Sequence, residues 1–183
     1  MNPKGPGCPV FLTGMMGAGK STLAPLLAAA WGVAWVDLDV RIARIFGAEI
    51  AELFARGEAQ FRRCEREALD LLLDEPGLRQ RTVVVATGGG VVVDPHCRAA
   101  MHAAGRVVLL RASLSTLVLR LTAPEVARTR PLLQAQDLDL AARLRELWTH
   151  RQSAYEGADV VVDADGSPQD AVRDLRAALE GRP

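Results

Sequence analysis

The most constraining feature of the sequence is a glycine-rich segment near the N-terminus, Gly14-Met-Met-Gly-Ala-Gly-Lys-Ser21. It follows the apolar run Val10–Thr13 and precedes a helical pattern from Ser21 to Trp31. In that setting the spacing G-x-x-x-x-G-K-[ST] is typical of a phosphate-binding loop, or P-loop. The glycines let backbone N–H groups turn toward phosphate oxygens, and the helix N-terminus adds partial positive charge. The segment therefore predicts a nucleotide site, although a glycine-rich turn that only resembles the motif is the alternative.

Two side chains of this segment have chemical roles in a P-loop. Lys20 is expected to reach the β- and γ-phosphates, and the Ser21 hydroxyl is expected to serve a Mg²⁺ ion. GTPases, motor and transport ATPases, and kinases all use such loops. The reaction must therefore be inferred from residues elsewhere in the chain.

Four more short apolar runs follow the first, and helical patterns such as Phe61–Leu73 lie between them. Each run is apolar on both faces, as expected for a strand buried between two helical layers. The alternating order predicts an α/β fold, a three-layer αβα arrangement around a central five-stranded parallel sheet. We expect one domain over residues 1–183. The four runs are Val33–Val36, Val83–Ala86, Val107–Leu110 and Val160–Val162.

Composition excludes several classes of protein. The chain has 49% hydrophobic and 24% charged residues, which is typical of a globular protein, and its formal net charge is zero. Zero net charge argues against binding to nucleic acid or to an anionic membrane. The three cysteines are odd in number and widely spaced, which indicates reduced thiols. With no signal-peptide pattern and no long apolar segment, we expect a cytoplasmic protein.

Two carboxylates follow the second predicted strand, in Asp37-Leu-Asp39. In an extended segment, side-chain alternation directs both toward the same side, which at this end of a parallel strand faces the ligand crevice. One carboxylate could serve the Mg²⁺ shell, and the other could accept a proton from an attacking hydroxyl. The alternative is a solvated pair that caps the next helix.

Two later segments carry groups suited to binding a small acid. Gly57 suits a turn before a helix on which Arg62 and Glu65 share one face, although a surface ion pair is the alternative there. Gly88, Gly89 and Gly90 directly follow a buried strand, so a ligand could approach the backbone closely. A plain flexible connector is the competing interpretation.

Two arginines complete the candidate site. Arg130 lies in a polar, proline-bearing segment, residues 122–136, which we predict to be a mobile lid. An arginine on such a lid could close over a transferring phosphoryl group. Arg151 lies one turn before Tyr155, near the end of a helical pattern that starts at Leu138. It could bind a carboxylate with two parallel hydrogen bonds, or cap the helix C-terminus.

Together, these motifs resemble the shikimate kinase family, in the nucleoside-monophosphate-kinase-like group of P-loop folds. They occur in the family's order and approximate spacing over nearly the whole chain. The resemblance implies ATP-dependent phosphorylation of the 3-hydroxyl of shikimate, with Mg²⁺ as cofactor, by a monomer. The matching segments are Gly14–Thr22, Asp37-x-Asp39, Gly57-Glu-x-x-Phe-Arg62-x-x-Glu65, Gly88–Gly90, Arg130-Pro-Leu-Leu133 and Arg151-x-x-x-Tyr155.

The resemblance also implies individual roles. Acceptor-binding helices are expected at about residues 39–75, with Asp39 as base and hydroxyl ligand. The catalytic residues would be Lys20, Asp39 and Arg130, and the metal site would be Ser21 and Asp37. Nucleotide contacts would come from Gly14, Gly17, Ala18, Gly19, Lys20, Ser21, Thr22, Arg120 and Pro168. Acceptor contacts would come from Asp39, Arg62, Gly88, Gly89, Gly90, Arg130 and Arg151, the two arginines Arg62 and Arg151 binding the carboxylate.

Two alternative functions are weighed against this one. Gluconate kinase shares the fold and a polyol-acid substrate, but the triple glycine and Arg130-Pro-Leu-Leu argue against it. A catalytically silent ATP-binding module would not need all of the residues Lys20, Asp37, Asp39 and Arg130. The chain departs from the family pattern at Ala43, near the acceptor site, where the family often has Glu.

Overall fold

The computed structural model describes residues 5–123 and 140–180. Within these ranges, strands and helices alternate along the chain, as predicted. The strands are β1 Val10–Thr13, β2 Ala34–Asp37, β3 Val83–Ala86, β4 Arg106–Arg111 and β5 Val160–Asp163. The helices are α1 Lys20–Trp31, α2 Leu38–Phe46, α3 Ile50–Ala55, α4 Glu58–Leu73, α5 Pro95–Ala104, α6 Leu114–Leu121, α7 Leu140–Tyr155 and α8 Pro168–Glu180.

The five strands form one parallel sheet in the order β2-β3-β1-β4-β5. The three central strands have buried side chains on both faces, apart from the two ends of β4. The edge strands β2 and β5 are only partly buried, and Trp35 is 45% exposed. The prediction that every strand is covered on both faces is therefore wrong for the two edges.

β1 is the central strand, with β3 on one side of it and β4 on the other. The order in which the chain adds strands to the sheet therefore reverses at β1. In parallel α/β sheets, ligands bind in the crevice at the carboxyl ends of strands beside such a point. The segments that follow β1, β2 and β3 all start at this edge. Each of them carries residues that the sequence assigns to the candidate site.

Local capping corrects one detail of the sequence prediction. A carboxylate oxygen of Asp37 accepts hydrogen bonds from the backbone N–H groups of Asp39 (3.0 Å) and Val40 (3.4 Å), so α2 begins at Leu38. Asp37-Leu-Asp39 is therefore not an extended segment, because a good N-cap starts a helix immediately after the strand. Ser167 caps α8 in a similar way, since its hydroxyl accepts a hydrogen bond from the Asp170 N–H at 3.2 Å.

The core consists of apolar side chains between the sheet and both helical layers. It includes the β1 residues Val10, Phe11 and Leu12, each fully buried. No helix in the described part of the chain is long and apolar enough to cross a membrane.

Candidate active site

A cavity of about 940 Å³ lies along the carboxyl edge of the sheet. It brings together side chains and backbone from almost every segment that the sequence singled out. The predicted site residues that line it are Gly17, Ala18, Gly19, Lys20, Ser21, Thr22, Asp37, Asp39, Arg62, Gly88, Gly89, Gly90, Arg120, Arg151 and Pro168. Gly14 lies at the start of the loop but does not line the cavity, and Arg130 lies outside the described residues.

One end of the cavity is formed by the P-loop. The Lys20 ammonium group donates hydrogen bonds to the carbonyl oxygens of Gly14 (2.8 Å) and Met15 (3.0 Å), which holds it against the loop. Gly14 has φ +141°, and a Cβ there would lie 2.5 Å from the Leu110 carbonyl oxygen. Because α1 begins at Lys20 and its first residues line the cavity, the partial positive charge of the helix N-terminus faces the space where an anion can bind.

Arg120 joins this end of the cavity to the turn after β5. Its guanidinium donates to the carbonyl oxygens of Gly17 (3.3 Å) and Ala164 (2.7 Å). Pro168, the first residue of α8, lines the same end. The two residues assigned to the nucleotide base therefore lie beside the P-loop, while their contact with the base stays a prediction.

The other end of the cavity is formed by charged side chains of α4. The Arg62 guanidinium donates to Glu65 at 2.6 Å and to Glu58 at 2.9 Å. The Arg62 side chain is 22% exposed and that of Glu65 only 3%. The alternative of a solvated surface pair is therefore wrong for Arg62 and Glu65, which are held inside the cavity.

Burial changes the ionisation of this pair. Burial raises the pKa of Glu65 to about 7, Arg62 opposes that shift, and the neighbouring Asp39 charge adds to it. Burial alone would lower the pKa of Arg62, but the carboxylates of Glu65 and Glu58 outweigh it and the pKa is raised. Arg62 thus stays cationic, while Glu65 can change its charge near neutral pH.

The three glycines after β3 provide the space for these side chains. A Cβ at Gly88 would lie 2.9 Å from carboxylate oxygens of both Asp39 and Glu65, and a Cβ at Gly90 would overlap the Arg62 guanidinium. The segment is therefore not a plain connector. Its lack of side chains allows charged groups from α2 and α4 to converge.

The last turn of α7 packs against the same glycines. Arg151 is buried and donates to the Gly89 carbonyl oxygen at 3.1 Å. The Tyr155 hydroxyl donates to the same oxygen at 2.8 Å, and its ring stacks on Trp148 at 5.7 Å between centroids. Among the residues that line the cavity, Arg151 and Arg62 are thus the two arginines beside the three glycines.

Comparison with known proteins identifies the family. The family model described as shikimate kinase matches residues 16–180. A curated shikimate kinase of Geobacter sulfurreducens is 43% identical over 168 residues, which cover 91% of this chain and 87% of that protein. This chain belongs to the shikimate kinase family.

Solved structures of shikimate kinases have the same fold. The enzyme from Acinetobacter baumannii in complex with shikimate matches with a TM-score of 0.79 and 32% identity, over 92% of this chain and 88% of that one. The enzyme from Bacteroides thetaiotaomicron matches with a TM-score of 0.83 and 32% identity, over 92% and 96%. A gluconokinase from Sinorhizobium meliloti is 17% identical with a TM-score of 0.58, which shows the fold alone. The predicted fold is confirmed, and the gluconate kinase alternative is not favoured.

The sequence missed part of the shikimate kinase cavity. Glu65 matched a motif without receiving a role, because its burial depends on the glycines after β3. The exposed rim residue Glu49 and the apolar residues Ile50 and Phe54 also line the cavity. Their only signal in the sequence is their position within residues 39–75, where the acceptor-binding helices are predicted.

Proposed function

We propose that this chain transfers the γ-phosphoryl group of ATP to the 3-hydroxyl of shikimate and releases ADP and shikimate 3-phosphate. One observation carries the proposal. A single cavity joins a P-loop at one end to Asp39, Arg62 and Arg151 at the other. Shikimate is a small polyol acid, so its site needs cations for the carboxylate and oxygen acceptors for the hydroxyls, which these residues supply.

Arg62 and Arg151 bind the shikimate carboxylate in this proposal. Each guanidinium is fixed by the protein through a hydrogen bond, to Glu65 or to Gly89, so little side-chain freedom remains to be lost on binding. A guanidinium can form two parallel bonds with a carboxylate, which fixes the orientation of the ring. The backbone of Gly88–Gly90 then approaches the ring closely.

Asp39 accepts the proton of the 3-hydroxyl. The hydroxyl oxygen forms a bond to the γ-phosphorus while the bond from that phosphorus to the β–γ bridging oxygen breaks, and ADP leaves with that oxygen. Lys20, held at the P-loop, neutralises charge on the phosphates during transfer. Arg130 adds a second cation from the predicted lid.

Mg²⁺ fits the residues at the P-loop. Ser21 and Asp37 line the cavity and present a hydroxyl and a carboxylate, which are the oxygen donors that Mg²⁺ prefers. No cluster of three or more His, Cys, Asp or Glu side chains suited to a metal occurs among residues 5–123 and 140–180. When bound, Mg²⁺ neutralises charge on the β- and γ-phosphates.

The nucleotide base is expected between Arg120 and the Pro168 turn. The remaining expectations from the sequence also belong to the proposal: the protein acts as a cytoplasmic monomer, in one domain, without nucleic acid or a membrane. The absence of net charge supports the last of these.

A coupled assay of ADP release tests the function, with shikimate, with gluconate and with no acceptor. We expect ADP release that depends on both Mg²⁺ and shikimate. ADP release only with gluconate would show that gluconate, and not shikimate, is the substrate. Binding of ATP without release in any of the three reactions would favour a silent ATP-binding module.

A further inference from the structure

The Gly89 carbonyl oxygen receives two hydrogen bonds from α7. The Tyr155 hydroxyl donates at 2.8 Å, and Arg151, one helical turn earlier, donates at 3.1 Å. A carbonyl oxygen has two lone pairs, so these donors can fill its capacity. The position of this one oxygen therefore depends on both side chains at once.

Gly89 is also the point where the two ends of the cavity touch. A Cβ at Gly89 would lie 3.3 Å from the Gly14 carbonyl oxygen and 3.7 Å from the Met16 nitrogen, both in the P-loop. The Tyr155 hydroxyl lies 3.8 Å from the Met15 sulfur. A shift of Gly89 would therefore change the distance between the acceptor side of the cavity and the P-loop.

The Tyr155 side chain is held more rigidly than that of Arg151. It is 1% exposed, and its ring packs on Trp148 with an angle of 21° between the rings. A buried aromatic ring has only two torsions and little room to follow a moving partner. Arg151 has a longer side chain with more torsions, and its guanidinium is held by the hydrogen bond to the Gly89 carbonyl.

We propose that Tyr155 is a positioning residue for the acceptor. Its hydroxyl fixes the Gly89 carbonyl, and through that carbonyl it fixes the plane of the Arg151 guanidinium. This inference rests on the proposed function, in which Arg151 binds the shikimate carboxylate. Without the hydroxyl, the Gly89 oxygen moves toward Arg151, and the guanidinium turns away from the geometry that two parallel bonds to a carboxylate require.

The substitution Tyr155→Phe removes only the hydroxyl and keeps the ring. We expect the KM for shikimate to rise about three- to tenfold, which corresponds to the usual net value of one hydrogen bond. We expect kcat and the KM for MgATP to stay within about twofold, since losing a contact that is equally strong in the ground and transition states raises KM alone. Leu144→Val is the matched control: it is a buried residue of α7 outside the cavity, and should lower the melting temperature without changing the KM for shikimate.

A neutral acceptor separates positioning of Arg151 from a general effect on the cavity. In shikimate with its carboxylate replaced by a hydroxymethyl group, Arg151 has no anion to bind. Tyr155→Phe should then leave the KM for this analogue unchanged. An equal rise for both acceptors, or no rise for shikimate, would overturn the inference.

A second measurement needs no variant. The chain has one tyrosine, so isotopically labelled tyrosine gives a side-chain NMR signal that reports on Tyr155 alone. Adding shikimate should perturb this signal, because the carboxylate changes the charge beside Arg151. A tyrosine signal that does not respond to saturating shikimate would contradict the coupling. If the wild type releases no ADP with shikimate, the proposed function is wrong. If the wild type is active and Tyr155→Phe has the same KM for shikimate, only the positioning role of Tyr155 is wrong.

Discussion

The two ends of the cavity are built from different parts of the chain. Most of the nucleotide end is one continuous segment, residues 16–22 of the P-loop and the start of α1, with Arg120 and Pro168 beside it. The acceptor end combines side chains from α2, α4 and α7 that meet on the three glycines after β3. The first is fixed by local backbone geometry, and the second depends on tertiary packing.

This difference predicts how each end responds to substitution. At the P-loop, the side chain predicted to act in catalysis is Lys20, and it is held by carbonyl oxygens of its own loop. At the acceptor end, each arginine is held in place by hydrogen bonds to other segments of the cavity or of its own helix. Arg62 donates to the carboxylates of Glu65 and Glu58, and Arg151 donates to the Gly89 carbonyl oxygen. Changes there should alter acceptor binding and turnover while leaving the binding of MgATP intact.

The largest effect is expected for Asp39→Asn. The variant keeps the size of the side chain but cannot accept the proton of the acceptor hydroxyl, so kcat should fall by about 10²- to 10⁴-fold. The dissociation constant for MgATP, measured by calorimetry, should stay within about twofold. Near-normal turnover would remove Asp39 from the chemistry, and a large loss of MgATP binding would show that the two ends are not independent.

The same difference explains what the sequence could predict. The P-loop is contiguous, so its pattern, the preceding strand and the following helix together determine its structure. The central strands β1, β3 and β4 were recognisable because they are apolar on both faces. The acceptor residues Arg62 and Arg151 were found through motif spacing and family resemblance, since no local rule brings α4 and α7 together.

Three details required the structure. Asp37 caps α2, so Asp39 reaches the cavity from a first helical turn and not from an extended segment. Glu65 is buried because glycines leave room for it, a consequence of tertiary packing that its acidic identity does not suggest. Tyr155 ends an ordinary helical pattern, and only the fold brings its hydroxyl to Gly89. Arg130 and most of the predicted lid lie outside the described residues, so their positions stay predictions.

The next largest effect is expected for Gly90→Ala. The added Cβ would overlap the Arg62 guanidinium and push it out of its bond with Glu65. The KM for shikimate should rise about tenfold or more, comparable to the loss of a charge-assisted hydrogen bond. The KM for MgATP should change by less than about twofold, because the P-loop does not contact this Cβ.

Gly157→Ala is the matched control for Gly90→Ala. Gly157 is exposed and lies just after α7, and a Cβ there would approach only the Ala154 carbonyl oxygen, at an ordinary contact distance of 3.7 Å. This variant should leave both KM values unchanged. If Gly90→Ala resembles the control, Arg62 can move aside without loss, and its fixed position is not needed for acceptor binding.

The smallest effect concerns the charge of Glu65. Burial raises the pKa of Glu65 from 4.5 to about 7 in the folded protein. Between these values the folded state binds more protons than the unfolded state, so this residue makes the unfolding free energy fall as pH rises, until the pH exceeds about 7. In Glu65→Gln that contribution is absent. The wild-type minus variant difference in unfolding free energy should therefore decline with pH, by at most about 1.4 kcal/mol per pH unit.

Urea denaturation of both proteins, at several values from about pH 5 to about pH 8, measures this slope. The test uses the change of this difference with pH and not its absolute value. Glutamine also weakens the contact with Arg62, and because glutamine does not ionise, that contribution in the variant does not change with pH. Glu146→Gln removes the acid of the exposed pair Arg143–Glu146, which has the same spacing on α7, and should cost less than about 1 kcal/mol. A flat difference for Glu65 would mean that the ion pair with Arg62 fully offsets burial. The acceptor end would then hold its charges as independently of pH as the backbone-built nucleotide end.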